Sequence, residues 1–170
     1  HAMAIPIGGG GAEGELLDPF GGREDLDARR IRLLHGGSLA DDPTRVFRAA
    51  RYAARLGFAL DPGFDEALRR AVASGAFARV SGDRLRRAFQ ETLQEENRDV
   101  AVEILVRLGV PGAVVPGWGG ADAPVPLSLE GDAGRAWKGL LAPLPPAFRC
   151  RVADRLSFSG ALRRESGCGL

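Results

Sequence analysis

Cysteine, histidine and lysine are scarce in this chain of 170 residues. Cys150 and Cys168 are too few for a disulfide framework, and His1 and His35 have no zinc-ligand spacing. No apolar run approaches the roughly 18 to 20 residues that cross a bilayer, and the first residues lack the pattern of a signal peptide. The sequence therefore predicts neither a disulfide-rich secreted domain nor a membrane protein, and a cytoplasmic location is the expectation.

Charge, in contrast, is abundant and unevenly distributed. The chain carries 23 lysines and arginines against 22 aspartates and glutamates, a net charge of +1. Residues 1–28 carry a net charge of −5, 29–87 of +7, 88–134 of −6 and 135–170 of +5. Basic blocks of this size indicate an anionic partner. On composition alone, the alternative is a set of solvated helix faces in an arginine-rich chain.

The chain opens with a β-type pattern and continues with helical ones. The segments AMAIPI and GELLDPFGG predict two short strands around a glycine-rich loop. From Asp25 the spacing becomes helical, and EDLDARRIRLLH predicts a helix over residues 24–35 that ends before Gly36 and Gly37. Aspartate-proline pairs or a serine at the N-terminus, and glycines at the C-terminus, are typical helix-capping signals. With the helical spacing they predict four more helices, from Asp42 to Leu56, Asp61 to Gly75, Ser81 to Gln94 and Arg98 to Gly109.

The last third of the chain begins with a segment rich in proline and glycine. Residues 111–147 predict a loop with one short helix, and residues 145–165 again have helical spacing. For Trp118 and Trp137 we expect local packing rather than base stacking. The fold class predicted overall is mainly α, a helical bundle preceded by a short β-hairpin.

The segment DDPTRVFRAARYAARLGF, residues 41–58, concentrates arginines on one helix. At 3.6 residues per turn its four arginines fall within about 120° of one another, so they form one stripe. Like charges at this spacing repel mildly, and a polyanion would relieve the repulsion. Arginine suits that partner because its planar fork donates two hydrogen bonds to a phosphate and stays charged. The stripe consists of Arg45, Arg48, Arg51 and Arg55.

Asp42 stands three residues before the first arginine of the stripe. A carboxylate and a guanidinium at this spacing present an acceptor and a donor together, as the recognition of a nucleobase requires. The simpler interpretation is that Asp42 caps the helix, a role that contributes about 1 kcal/mol. The sequence leaves both interpretations open.

Four ordered segments across residues 1–90 resemble motifs of class II CCA-adding tRNA nucleotidyltransferases and bacterial poly(A) polymerases. DDPTRVFRAARYAARLGF is similar to the family pattern E-D-P-x-R-x-x-R-A-x-R-F, and AMAI to N-A-[ML]-A. LLDPFGGREDLDARRIRLL is similar to D-P-[FY]-G-G-x-x-D-L-x-x-x-x-[IL]-R, and VSGDRLRRAF to V-S-x-E-R-[IL]-x-x-E. The chain departs from these patterns at Asp41, Asp83 and Ala88, where the family usually has glutamate.

The resemblance implies a nucleotide-binding site on the second helix. Asp42 and Arg45 would hydrogen-bond the base of CTP or ATP, and Arg48 and Arg51 would hold the triphosphate. It further implies an RNA 3′ end, such as that of tRNA, as partner, and Mg²⁺ held by carboxylates of a G-S and D-x-D arrangement. In this sequence no G-S is followed by a D-x-D segment. We therefore expect no catalytic or metal-binding residue here and a partner head domain, in cis or in trans, that supplies them.

The expected organisation has three parts. Residues 1–24 would be strands left over from the head, residues 25–110 a helical neck, and residues 111–170 the start of a helical body that binds RNA. The expected function is the nucleotide-selecting and RNA-binding portion of an enzyme that transfers CMP or AMP to the tRNA 3′ end, inactive alone. The alternatives are a stand-alone helical RNA-binding module, part of a poly(A) polymerase, or a purely structural helical scaffold.

Overall fold

A computed structural model describes residues 3–5, 14, 16–119, 129 and 131–168 of the chain. Within these residues the fold is mainly helical, which confirms the predicted class. Two short strands, β1 (Arg30–Ile31) and β2 (Ala59–Leu60), accompany the helices. The helices are α1 (Gly22–Asp27), α2 (Ser38–Asp41), α3 (Arg45–Leu56), α4 (Gly63–Ala73), a 3₁₀ turn (Phe77–Arg79), α5 (Gly82–Leu93), α6 (Arg98–Arg107), α7 (Val110–Val114), α8 (Ala133–Leu141), α9 (Pro146–Arg155) and α10 (Gly160–Glu165).

The predicted capping signals set the ends of α3 to α6. Gly57 ends α3 in the left-handed conformation, with φ of 65°, where a side chain would be strained. The Ser81 hydroxyl accepts a hydrogen bond from the Arg84 backbone N–H and so caps α5. Asp42 Oδ1 accepts a hydrogen bond from the Thr44 backbone N–H at 3.1 Å, which closes a turn ahead of α3, but the N-cap of α3 is Thr44 and not the predicted Asp42. The regular helix begins at Arg45, three residues after Asp42.

The helix predicted over residues 24–35 is wrong beyond its first turns. α1 ends at Asp27, Arg29 adopts a φ of 50°, and Arg30 and Ile31 form β1. β1 pairs in parallel with β2, with Arg30 opposite Ala59 and Ile31 opposite Leu60. The backbone groups that would have extended the helix therefore bond to residues almost 30 positions later, a tertiary contact that overrides the local helical pattern.

The predicted N-terminal hairpin is represented in the described residues by one antiparallel bridge. The backbones of Ala4 and Leu17 exchange two hydrogen bonds, of 3.0 and 2.8 Å. Residues 6–13, the predicted loop, lie outside the described residues. The regular two-stranded sheet is the parallel pair of β1 and β2, which the sequence did not predict.

More helix forms in residues 111–147 than the single short helix predicted. α7 extends to Val114, α8 follows over Ala133–Leu141, and α9 begins at Pro146. Asp132 caps α8, since its side chain accepts a hydrogen bond from the Arg135 backbone N–H. Among the helices that the structure describes, none has the length and apolarity needed to span a membrane.

The core contains an aromatic cluster centred on Phe89 of α5. Its ring meets Phe47 of α3 edge-on at 4.7 Å between centroids and stacks on Trp118 at 5.3 Å. Trp137 of α8 lies 5.6 Å from Phe89 and 4.8 Å from Phe158. Both tryptophans are buried, but their contacts with Phe89 are tertiary rather than the local packing expected from the sequence. This cluster holds α3 and α5 in fixed relative positions, and the candidate site lies between them.

Candidate functional site

A cavity of about 630 Å³ opens between α3 and α5. Its volume lies within the range of about 300–1,000 Å³ typical of small-molecule sites. Five arginines and two carboxylates line it, which leaves three net positive charges. The lining residues are Asp42, Thr44, Arg45, Phe47, Arg48, Arg51, Tyr52, Arg84, Arg87, Ala88 and Glu91.

The carboxylate of Asp42 is fixed from two sides at the start of α3. Its Oδ1 accepts hydrogen bonds from the Thr44 N–H at 3.1 Å and the Thr44 hydroxyl at 2.6 Å. Its Oδ2 accepts a hydrogen bond from Arg84 Nη2 at 2.8 Å. Asp42 therefore forms a turn with Thr44 just before α3 and also lines the cavity.

Arg45 and Arg48 make hydrogen bonds with neutral groups. Arg45 Nη1 donates to the Ser38 hydroxyl at 2.7 Å and the Ser38 carbonyl at 3.2 Å, so α2 orients its guanidinium. Arg48 Nε donates to the Tyr52 hydroxyl at 3.2 Å, and its guanidinium lies 5.4 Å from the Tyr52 ring centroid. Within the described residues neither arginine pairs with a carboxylate, so both keep uncompensated positive charge at the cavity.

Arg51 and Arg55 are paired with carboxylates. Arg51 Nη1 donates to Glu91, and Arg51 Nε donates to Glu95 Oε1 at 3.0 Å. Arg55 Nη2 donates to both oxygens of Glu95, at 2.7 and 2.9 Å. Burial alone would raise the pKa of Glu95, but the hydrogen bonds from Arg55 and Arg51 outweigh it and hold the pKa below its usual value.

The structure brings the four predicted site residues, Asp42, Arg45, Arg48 and Arg51, to one cavity. The fourth arginine of the stripe, Arg55, lies outside that cavity. The ion pairs of Arg51 and Arg55 with α5 and the turn that follows it replace the unpaired stripe expected from the sequence.

Sequence reasoning missed three contributors from α5: Arg84, Arg87 and Glu91. Their helix was predicted, but no local pattern pointed its residues at α3. Ala88 also lines the cavity, at the position where the family usually has glutamate. A glutamate at this position would fill part of the cavity and neutralise part of its positive charge, whereas the alanine methyl group does neither.

The carboxylates at this cavity do not fit a Mg²⁺ site. Asp42 is engaged with Arg84, and Glu91 with Arg51. In the described part of the chain there is no cluster of three or more histidine, cysteine, aspartate or glutamate residues placed to hold a metal ion.

The fold and the cavity define a helical module with a cationic cavity of a volume typical of small-molecule sites. No protein-family model matches the chain. It is 36% identical over 107 residues to the Multifunctional CCA protein of Ectopseudomonas mendocina, covering 61% of this chain and 26% of that protein. It is 34% identical over 110 residues to the A-adding tRNA nucleotidyltransferase of Geobacter sulfurreducens, covering 65% of this chain and 12% of that protein.

Solved structures agree with these sequence matches. The Thermotoga maritima CCA-adding enzyme complexed with tRNA matches with a TM-score of 0.67 and 26% identity, over 89% of this chain and 41% of that one. CCA-adding enzymes in complex with ATP and with CTP match with TM-scores of 0.72 at 27% identity. The chain is therefore related to the CCA-adding tRNA nucleotidyltransferases, which confirms the resemblance of its motifs. It spans about a quarter or less of the two curated relatives.

Proposed function

We propose that this chain is the nucleotide-selecting and RNA-binding portion of a tRNA nucleotidyltransferase. The observation that carries the proposal is the cavity between α3 and α5, where Asp42, Arg45, Arg48 and Arg51 converge. The relatives named as CCA-adding and A-adding proteins support this class of substrate. In the proposed organisation, residues 1–24 are remnant strands of the head, residues 25–110 form the neck, and residues 111–170 begin the body.

Asp42 and Arg45 would select the base. Cytosine and adenine each present an exocyclic amino group, a hydrogen-bond donor, beside a ring nitrogen that accepts. The Asp42 carboxylate accepts from the amino group and the Arg45 guanidinium donates to the ring nitrogen. Uracil places a carbonyl and an N–H at these positions, which would leave Asp42 and Arg45 without matching partners. CTP and ATP therefore fit this pair better than UTP does.

Arg48 and Arg51 would bind the triphosphate. Both guanidiniums line the cavity on the same face of α3, one and two turns after Arg45. Arginine forks give bidentate, charge-assisted hydrogen bonds to phosphate oxygens. The three net positive charges at the cavity add to this attraction. Binding through these contacts does not depend on which base the nucleotide carries.

Transfer of the nucleotide would require carboxylates and Mg²⁺ from a head domain, in cis or in trans. Binding of the RNA 3′ end would involve the basic segments 29–87 and 135–170, through an attraction that weakens steeply with salt. Addition of CCA, CC, A or poly(A) by the complete protein is compatible with this site. A stand-alone RNA-binding module remains the alternative, and it predicts salt-sensitive RNA binding without nucleotide binding.

Isothermal titration of the 170-residue chain with CTP tests the proposal. Arg48→Ala should weaken binding of CTP and UTP alike, by about tenfold, as expected for the loss of a charge-assisted hydrogen bond. The matched control is Arg69→Ala on α4, which removes the same charge from a side chain that is 74% exposed and paired with Glu66. Equal weakening by both substitutions, or no binding of CTP by the unsubstituted chain, would contradict a specific site.

A further inference from the structure

Two arginines of α3 face one glutamate of α5 and one in the turn that follows it. The two arginines are four residues apart, and so are the two glutamates. Arg51 and Arg55 are one turn apart on α3, and Glu91 and Glu95 have the same separation on the partner segment. Arg51 contacts both glutamates, whereas the hydrogen bonds of Arg55 go to Glu95. Of these four residues, Arg51 and Glu91 line the cavity.

The two glutamates differ in their surroundings. The Glu95 side chain is 12% exposed, and Glu91 is 58% exposed. Glu91 lines the cavity, whereas Glu95 is not among the lining residues. Arg51 thus has a buried carboxylate behind its Nε and a hydrated carboxylate at its Nη1, on the cavity side.

Glu95 fixes the direction of the Arg51 side chain. It accepts one hydrogen bond from Arg51 Nε at 3.0 Å and two from Arg55 Nη2. Its own backbone N–H is anchored to the Thr92 carbonyl at 3.2 Å. A guanidinium is a rigid planar fork, so fixing its Nε also fixes the direction of its outer N–H groups. One of these outer groups, Nη1, donates to Glu91, which lines the cavity.

Glu91 occupies the place that an anionic ligand would take on Arg51. Its carboxylate bears one charge and remains largely hydrated, so its release to water costs little. A triphosphate carries more charge and more acceptor oxygens, and Arg45 and Arg48 add to its binding. The ligand is therefore able to replace Glu91 on Arg51 without disturbing the bond to Glu95.

We propose that Glu95 is a positioning residue for Arg51 and that Glu91 is an internal anion displaced when a polyphosphate binds. This inference rests on the proposed function in one respect, that Arg51 binds phosphate. Glu91 would keep the cationic cavity from binding monovalent anions and would set a threshold of ligand charge. A nucleoside triphosphate passes that threshold, whereas inorganic phosphate competes poorly.

Substitution of each glutamate by glutamine separates this proposal from two simpler accounts. If only net charge mattered, Glu91→Gln and Glu95→Gln would both tighten polyphosphate binding. If the cluster only stabilised the fold, neither would alter it. Displacement and positioning predict opposite signs: tighter binding for Glu91→Gln, because a competitor is removed, and weaker binding for Glu95→Gln, because Arg51 loses its orientation.

The probe is inorganic tripolyphosphate, titrated calorimetrically into the full chain at fixed ionic strength. We expect Glu91→Gln to bind it about fivefold more tightly, the effect of removing one exposed ion pair, and Glu95→Gln to bind it at least about fivefold more weakly. The matched control is Glu96→Gln, which removes the same charge from an exposed neighbour and should shift affinity less than twofold. Tightening by Glu95→Gln, or equal tightening by Glu96→Gln and Glu91→Gln, overturns the inference.

Two further measurements show whether a change in affinity comes from loss of structure. Circular dichroism establishes whether each variant is folded, and the side-chain ¹⁵Nε–¹Hε resonance of Arg51 reports its order. Relaxation of that resonance should show a rigid Nε–H group in the unsubstituted chain, with and without tripolyphosphate. In Glu95→Gln the same group should become mobile. A rigid resonance in Glu95→Gln contradicts the positioning role. The proposed function fails separately, if the unsubstituted chain binds tripolyphosphate but not CTP.

Discussion

Asp42 and Arg84, 42 residues apart in the chain, form an ion pair of 2.8 Å that joins the start of α3 to α5. Arg84 is 57% exposed and Asp42 23% exposed, so water screens the pair. Its main effect is on orientation, because the Thr44 N–H, the Thr44 hydroxyl and Arg84 together leave the Asp42 carboxylate little freedom. A base-reading carboxylate needs this kind of fixed direction.

The Asp42–Arg84 pair should contribute little to stability. We expect a double-mutant cycle of Asp42→Asn and Arg84→Gln to give a coupling energy below about 1 kcal/mol, as is usual for pairs with one exposed partner. Urea unfolding of the four proteins measures it. A coupling above about 2 kcal/mol would mean that the pair mainly holds the two helices together.

Gly82 should tolerate no side chain, because α9 approaches it closely. A Cβ at this position would collide with the Arg155 carbonyl and the Ser157 hydroxyl. Arg155 holds this approach in place by donating to the carbonyls of Phe77 and Val80, at 2.8 and 3.1 Å. Gly82→Ala should therefore lower the free energy of unfolding by about 1–3 kcal/mol, the usual cost of overpacking.

The control for Gly82 is Gly112→Ala in α7. A Cβ at Gly112 would meet its nearest neighbour, the Trp118 carbonyl, at an ordinary 3.5 Å. We expect this substitution to be neutral or to stabilise by about 0.5 kcal/mol, since alanine favours a helix over glycine. Chemical denaturation compares the two variants. Equal stabilities would show that α9 moves away from α5 without cost.

Phe89, in the aromatic cluster of the core, should be sensitive to truncation. Its ring contacts Phe47, Trp118 and Trp137 and is 2% exposed. Truncation in Phe89→Ala should lower the free energy of unfolding by about 3–5 kcal/mol. The control Val72→Ala, at a side chain that is 45% exposed, should cost less than about 1 kcal/mol. A loss below about 1 kcal/mol for Phe89→Ala would contradict the single aromatic core.

Asp25 should make stability depend on pH in the acid range. Hydrogen bonds from Arg32 and then Arg30, which outweigh its burial, hold the pKa of Asp25 below its usual value of 3.8. Because the folded state favours the ionised form, the stabilisation is present above about pH 4 and disappears as pH falls through the folded pKa.

We therefore expect Asp25→Asn to be less stable than the unsubstituted chain at about pH 5 to 7, and the difference to shrink below about pH 4. Urea unfolding between pH 3 and 7 measures this. Asp27→Asn on the same helix is the control and should follow the unsubstituted chain within about 0.5 kcal/mol. A difference for Asp25→Asn that grows on acidification would contradict the ion pairs with Arg30 and Arg32.

Sequence patterns predicted those elements whose signals are local. Asp42, Gly57, Asp61 and Ser81 mark helix ends because each acts on backbone groups within a few residues. β1 was missed because its hydrogen bonds run to residues 59–61, and no pattern within 24–35 reveals that partner. The left-handed conformation of Arg29, which directs the chain into β1, could not be predicted either, because arginine has no preference for that conformation.

In the candidate site, too, features set by local sequence could be predicted and features set by tertiary packing could not. The periodicity of α3 is enough to place Arg45, Arg48 and Arg51 on one face. The pairing of Arg51 with Glu91 and Glu95 joins residues 40 and 44 positions apart, so it depends on how α3 packs against α5. Like charges along the stripe repel one another locally. The fold offsets this repulsion for two of the four arginines, Arg51 and Arg55, by pairing them with these two glutamates.

Selection of the base is the most direct test of the account. Calorimetric titration of the chain with CTP and UTP gives the ratio of their dissociation constants, which we expect to favour CTP by about tenfold or more. In Arg45→Ala and in Asp42→Asn the ratio should fall to within about twofold, with the helical circular dichroism spectrum unchanged. An unaltered ratio in both folded variants would contradict base reading by Asp42 and Arg45.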